Sequence, residues 1–188
     1  MKRVVFCLIG TIGSCAWAIP GHAQRQPRMT LDATIGPGVV RTDGRYLDNG
    51  GDVTLDGMLG VRVRTLAHGA LFAGVNAGTH SGWGGEDVID CIPTPTIDCP
   101  QDLPSFEMFG ATLGWQDRQA ILRVSTGAAY VQADWDGWSV AWQSRVDLAM
   151  PTTWHLAPVM SLRATVVPNY PNGDRFRLFA LGFGLRVQ

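Results

Sequence analysis

The chain has 188 residues, a formal net charge of −1 and 46% hydrophobic residues. That length suits one domain, and 15 basic against 16 acidic residues exclude a protein that holds nucleic acid by bulk charge. Lys2 is the only lysine, so almost every cation is an arginine, whose planar fork suits enclosed carboxylate pairs.

Residues 1–23 read as a secretory signal. Lys2 and Arg3 form a basic start, Val4 to Ala18 an apolar stretch, and Gly21-His22-Ala23 supplies small residues for cleavage before Gln24. Two other readings stand beside it: an uncleaved anchor, and lipidation at Cys15 in Ile12-Gly13-Ser14-Cys15. In the favoured reading residues 24–188 are one mature domain, with 13 basic and 16 acidic residues and a charge of −3.

From there the chain alternates with a period of two, the signature of strands with unlike faces. Residues 28–39 set Met29, Leu31, Ala33, Ile35 and Val39 against Arg28, Thr30, Asp32 and Thr34. Residues 52–65 set Val53, Leu55, Leu59, Val61 and Val63 against Asp52, Thr54, Asp56, Arg62 and Arg64. Residues 70–80 set Leu71, Ala73, Val75 and Ala77 against Asn76, Gly78 and His80. Next comes a long connection, 81–104, whose CIPTPTIDC segment leaves Cys91 and Cys99 as a candidate disulfide-stapled loop in an oxidising compartment. A metal reading is weak there, because no His or further Cys lies close by.

Residues 105–116 set Phe109, Ala111, Leu113 and Trp115 against Met108, Gly110, Thr112 and Gly114, with Glu107 out of place on the apolar parity. Residues 119–132 set Ala120, Leu122, Val124, Ala128 and Tyr130 against Arg123, Ser125 and Gly127. Residues 138–148 set Trp138, Val140, Trp142, Val146 and Leu148 against Ser139, Gln143, Arg145 and Asp147. Residues 153–167 set Trp154, Leu156, Met160, Leu162 and Val166 against His155, Ser161, Arg163 and Thr165. Residues 175–187 close with Phe179, Leu181, Phe183, Leu185 and Val187 against Ala180, Gly182, Gly184 and Arg186. Eight strands are predicted, each long enough for a tilted membrane crossing. Connections near 66–69, 117–118 and 149–152 are short. Those at 41–51, 81–104, 133–137 and 168–174 are longer and rich in turn formers.

Alternation does not say whether the apolar row meets a protein core or lipid. Three features favour lipid. The polar row is crowded with glycine, which gains nothing on a water-facing strand but makes room inside a narrow barrel. It carries mid-strand charges of both signs, Asp32, Asp56, Arg62, Arg123, Arg145, Asp147 and Arg163, which an enclosed lumen would pair. Trp115, Tyr130, Trp138 and Trp154 fall near strand ends, where a membrane interface would want them. This pattern, over residues 28–187, resembles the small eight-stranded outer-membrane β-barrels of the OmpA-like and OmpX-like kind.

The resemblance implies an all-β, antiparallel, up-and-down transmembrane barrel in the outer membrane of a diderm (Gram-negative) bacterium. It also implies contact with outer-membrane lipid and lipopolysaccharide. Gly182, Leu185 and Val187 then match the closing-strand signal read by the barrel-assembly machinery, although the family ends on an aromatic residue and this chain on Val187-Gln188.

Some barrels of that compartment modify lipid A, so catalytic residues are sought. The His-x-Ser-Asn pattern of the deacylases is missing. His80 beside Ser81, with Glu86 nearby, points to opposite faces of a strand, which argues against a dyad. His155 is expected as a lumen hydrogen-bond partner and His68 in a solvated turn. SGWGGED, residues 81–87, lacks the Lys-Ser/Thr of a phosphate loop, and the acidic connection lacks EF-hand spacing. The sequence therefore predicts a non-enzymatic barrel without cofactor or metal, acting through structure or through an extracellular contact at residues 81–104. The alternatives are a lipid A-modifying barrel enzyme and a soluble, lipocalin-like periplasmic carrier.

Overall fold

The computed structural model describes residues 28–42, 52–82, 105–133, 137–152, 155–169 and 175–187. The signal segment, Cys91, Cys99, Glu86 and Trp154 lie outside them. Eight strands run in order: β1 (Met29–Thr42), β2 (Asp52–Leu66), β3 (Gly69–Gly82), β4 (Phe106–Asp117), β5 (Leu122–Ala133), β6 (Gly137–Ala149), β7 (Leu156–Val167) and β8 (Phe176–Val187). Each pairs antiparallel with its chain neighbour, and β1 pairs with β8, so the sheet closes on itself.

The register fixes the barrel's proportions. From Arg41 the ladder passes through Arg177, Val166, Trp142, Ala128, Ala111, Val75 and Leu59, and returns to β1 at Leu31, ten residues away. Eight strands with that stagger tilt by about 40° and enclose a cylinder of about 8 Å radius, narrow enough for side chains to fill.

The period of two sets the faces. On β1, Leu31, Ile35 and Val39 point out while Asp32 and Thr34 are buried; on β6, Trp138, Val140 and Trp142 point out while Gln143, Arg145 and Asp147 are buried. The start of β1, the end of β8 and the turns β2–β3, β4–β5 and β6–β7 share one rim. The long connections share the other.

Three local departures from strict alternation have physical causes. The β2–β3 register slips between Arg62 and Arg64, so Val63 is an inserted residue and Arg64 comes opposite Leu71 on the outward row. Arg64 is thus not on the polar row, because a bulge reverses the parity of the residues beyond it. Ala120 lies in the β4–β5 turn with φ 60° rather than on the apolar row of β5. Its amide donates to the Asp117 carbonyl at 3.2 Å, while the Leu122 amide donates to Asp117 Oδ1 at 3.0 Å. His155 precedes β7 and is exposed, so it is not a lumen hydrogen-bond partner. His68 sits exposed in the β2–β3 turn.

Lumen-row glycines serve two ends: room for side chains, as at Gly114 beside Phe72 and Gly110 beside Gln143, and close backbone approach. A Cβ on Gly184 would collide with the Ala33 main chain and stand 2.8 Å from Thr34 Cα; one on Gly36 would collide with the Leu181 carbonyl. Both lie at the β1–β8 seam, where the ladder skips Gly36 and Pro37. Proline has no amide to donate there.

Candidate functional site: a charged lumen inside an apolar wall

The faces are inverted relative to a water-soluble protein. Leu113 is 66% exposed, Val140 59% and Ile35 56%, whereas Asp32, Asp147 and Arg186 are fully buried. Buried charges persist only when paired and hydrogen-bonded, and the lumen supplies the partners.

Seven residues form one alternating chain of ion pairs. Arg123 Nη1 donates to Asp32 Oδ2 at 2.9 Å. Arg186 forks onto the same carboxylate, Nε to Oδ1 at 2.8 Å and Nη2 to Oδ2 at 3.0 Å. Arg186 Nη2 also reaches Asp147 Oδ2 at 3.4 Å, and Arg145 Nε donates to Asp147 Oδ1 at 2.5 Å. Arg145 Nη1 then donates to Asp56 Oδ2, and Arg163 Nη1 to Asp56 Oδ1 at 2.6 Å. Six strands contribute, so the chain ties β1, β2, β5, β6, β7 and β8 together from inside.

Neutral partners extend it. Arg123 also donates to Gln116 Oε1 and Thr30 Oγ1, at 3.1 Å from Nε and 2.7 Å from Nη2 respectively, and its guanidinium lies 4.6 Å from the Phe72 ring centre. Arg186 Nη1 donates to the Ala120 carbonyl at 3.1 Å, which gives that buried turn residue a structural role. Asn76 and Gln143 exchange amide hydrogen bonds across the lumen at 3.0 and 2.6 Å. Arg163 Nε and Nη2 and Arg145 Nη2 have no hydrogen-bond partner among the described residues.

Arg62, grouped with these charges on sequence, is not one of these seven residues. It stands half-buried at the short-turn mouth, beside Thr30 and Gln116, and its amide donates to the Arg28 carbonyl at 2.9 Å. It lies one residue beyond Val61, where the regular β1–β2 pairing ends opposite Met29, at the mouth rather than at the centre. Arg186 takes the central place instead. Its position on the polar row of β8 was the available signal; its partner lies 154 residues away, so only the closed register shows the pairing.

Toward the long-loop rim the lumen turns apolar. Val40, Phe106, Met108, Ala129, Val131, Ala141, Val167, Phe176 and Leu178 form one buried cluster, with the Phe106 and Phe176 rings edge to face at 5.5 Å. His80 packs against it, 5.7 Å from the Phe106 ring, fully buried, while Ser81 is exposed on the other face of β3. Spaces of about 10 Å³ remain at each end of the lumen, room for about one water apiece.

On the outer wall Tyr130 and Trp138 stand exposed near the long-loop rim, their rings 6.4 Å apart and edge to face. Trp115 is half-buried near the short turns. Gly182 faces the lumen, and Leu185 and Val187 face out.

No family model matches the sequence, and neither does any curated protein. Solved structures do. Neisserial surface protein A aligns with a TM-score of 0.60 at 13% identity, over 86% of this chain and 97% of that one. The attachment invasion locus protein Ail of Yersinia pestis aligns at 0.42 and 11% identity, over 84% and 97%. The outer-membrane protein AlkL aligns at 0.41 and 14% identity, over 90% and 94%. The closed register and the first of these alignments agree: the chain has the fold of a small, eight-stranded, antiparallel outer-membrane β-barrel.

Proposed function

We propose that the protein is a non-enzymatic integral β-barrel of the outer membrane of a diderm bacterium, with a structural role or one exercised through its long-loop end. One observation carries the reading: the large apolar side chains face out while the ion pairs are sealed inside. A soluble carrier needs the reverse, an apolar interior open to a ligand. A 12-residue strand tilted by about 40° spans about 30 Å along the axis, matching the hydrocarbon core of a bilayer.

In this reading residues 1–23 are removed on export and residues 24–188 form the mature protein. Trp115, Tyr130, Trp138 and Trp154 sit at the two interfaces, and Gly182, Leu185 and Val187 engage the assembly machinery. A Cys91–Cys99 disulfide staples the longest loop, and residues 81–104 offer the surface for an extracellular ligand. The packed lumen makes the ion-pair chain a rigid plug rather than a solute path. The separation of His80 and Ser81 onto opposite faces of β3 argues against catalysis there.

The test is heat modifiability. The chain is expressed in a diderm host, the outer membrane isolated, and unboiled and boiled samples compared on an SDS gel. A compact band that shifts on boiling supports the proposal. A soluble periplasmic protein without a shift overturns it.

A further inference from the structure

Among the described residues four buried arginines line the charged part of the lumen, and three of them set Nε on an acceptor. Arg186 Nε and Nη2 hold Asp32, Arg123 Nε and Nη2 hold Gln116 Oε1, and Arg145 Nε holds Asp147. Arg163 differs. Its Nη1 meets Asp56 Oδ1 at 2.6 Å, while Nε and Nη2, both buried, meet no acceptor among the described residues. Those two N–H groups lie side by side on one edge of the guanidinium, the fork with which arginine grips an anion at two points.

The surroundings are rich in unused polar groups as well. Arg163 is directly opposite Arg145 on β6, and Arg145 is opposite Ser125 on β5, so the three share one lumen row. Arg145 Nη2 and the Ser125 hydroxyl also lack hydrogen-bond partners among the described residues. So do the hydroxyls of Thr112 and Thr165 in the next row toward the long-loop rim. None of these five residues is more than 5% exposed. A buried polar group left without a partner is costly, most of all on a cation.

The charges point the same way. Among the described residues the buried charged side chains are four arginines and three aspartates, an excess of one cation. Guanidinium groups donate and never accept, so the ligand that suits them only accepts. A monovalent anion meets that need and cancels the excess, whereas a dianion overshoots it. Access restricts the size. The apolar cluster around Phe106, Phe176 and Leu178 closes the lumen on the long-loop side, with Leu178 directly opposite Thr165. The ion pairs of Asp32 fill it toward the short turns.

We propose that a small monovalent inorganic anion of the halide class is held inside the lumen at the Nε–Nη2 edge of Arg163, in the field of Arg145. It is a structural ion, taken up as the barrel closes. The site depends on the closed lumen and not on what surrounds the barrel, so it goes beyond the membrane reading.

The full chain is refolded from urea into a neutral detergent in sodium chloride, sodium bromide or sodium gluconate at equal ionic strength. The urea midpoint is read by tryptophan fluorescence. Both halides are expected to raise the midpoint over gluconate, an anion too large for the lumen. Arg118→Gln, at an exposed arginine of the β4–β5 turn, should keep the full shift. Arg163→Met should lose it, and Arg163→Lys, which keeps the charge without the fork, should lose most of it. In gluconate Arg163→Met should stay close to the parent, so the salt dependence carries the result. Crystals grown from bromide give a readout free of any variant: an anomalous peak within hydrogen-bond reach of Arg163 Nε and Nη2.

No rise over gluconate in the parent, an equal rise in Arg163→Met, or no peak at the Arg163 edge overturns the proposal and leaves a merely hydrated fork. A chain that folds without detergent and still shows the halide shift refutes the membrane reading and upholds the ion site.

Discussion

Asp32 and Arg186 face each other as paired residues of the first and last strands, and the arginine forks onto both carboxylate oxygens, at 2.8 and 3.0 Å. The barrel is thus locked at its seam by a two-point contact that forms only on closure. Asp32→Asn leaves Arg123 and Arg186 sharing a dry site with one anion fewer, and should cost about 3–5 kcal/mol. Arg186→Lys keeps the charge but loses the fork, and should cost less. Urea unfolding in lipid vesicles measures both. A loss below about 1 kcal/mol for Asp32→Asn would mean that the site is wetter than its burial indicates.

Two glycines separate a backbone clash from a side-chain clash. A Cβ on Gly184 runs into the β1 main chain at the seam, which cannot move without opening the ladder. A Cβ on Gly38 meets the Thr54 methyl at 2.8 Å and the His80 ring at 3.4 Å. Gly38→Ala should cost about 1–3 kcal/mol as overpacking. Thr54→Ser should relieve it, because serine drops the methyl and keeps the hydroxyl that donates to the Gly36 carbonyl at 3.2 Å. Gly184→Ala should deplete the compact gel band, and trimming a neighbouring side chain should not restore it.

The number of strands, their faces and the split between short and long connections were legible, because a barrel with unlike inner and outer phases writes a period of two into every strand. Which phase is which was carried by secondary signs, chiefly the paired charges on the glycine-rich row. The Val63 bulge was not legible: alternation continues through Arg64, and only pairing with Leu71 shows that the parity has changed. Arg186 was visible as a polar-row residue, yet its role depends on the contact between the two ends of the barrel. The glycines were legible as a row that makes room for neighbours such as Phe72 and Gln143, but the close backbone approach at Gly36 and Gly184 leaves no local mark. Cys91, Cys99 and Trp154 lie outside the described residues, so their roles rest on sequence.

Thr126 and Ser144 interrupt the apolar wall, with hydroxyls 3.3 Å apart and Thr126 Oγ1 donating to the Gln143 carbonyl at 3.1 Å. They lie beside Ala164, Leu162 and Val146 in a shallow outer depression of about 590 Å³. Since the hydroxyls satisfy each other and a carbonyl, removing both leaves no orphaned donor. The double variant Thr126→Val, Ser144→Ala should stay within about 1 kcal/mol of the parent. Ser144→Asp, a lone charge facing lipid, should cost more than any neutral change there. Folding yield in vesicles and urea midpoints test the contrast.

Arg163 is the weak link of the lumen chain. Four arginines (123, 145, 163 and 186) face three aspartates (32, 56 and 147), so one cation is in excess among them. Arg163 sits at the end, with one ion pair, to Asp56, and with Nε and Nη2 lacking hydrogen-bond partners among the described residues. It is also directly opposite Arg145 on β6, a like charge. Arg163→Met removes the excess cation, fills similar volume, and leaves Asp56 its pair with Arg145. The variant should lie within about 1 kcal/mol of the parent, or be more stable, as buried ion pairs replaced by apolar groups often are. Asp56→Asn should instead cost about 3–5 kcal/mol, because it strands two arginines. The double variant should recover part of that loss, with a coupling energy of about 1 kcal/mol or more in a mutant cycle. Equal losses for Arg163→Met and Asp56→Asn would show that Arg163 is fully compensated, and that the charge excess is only formal.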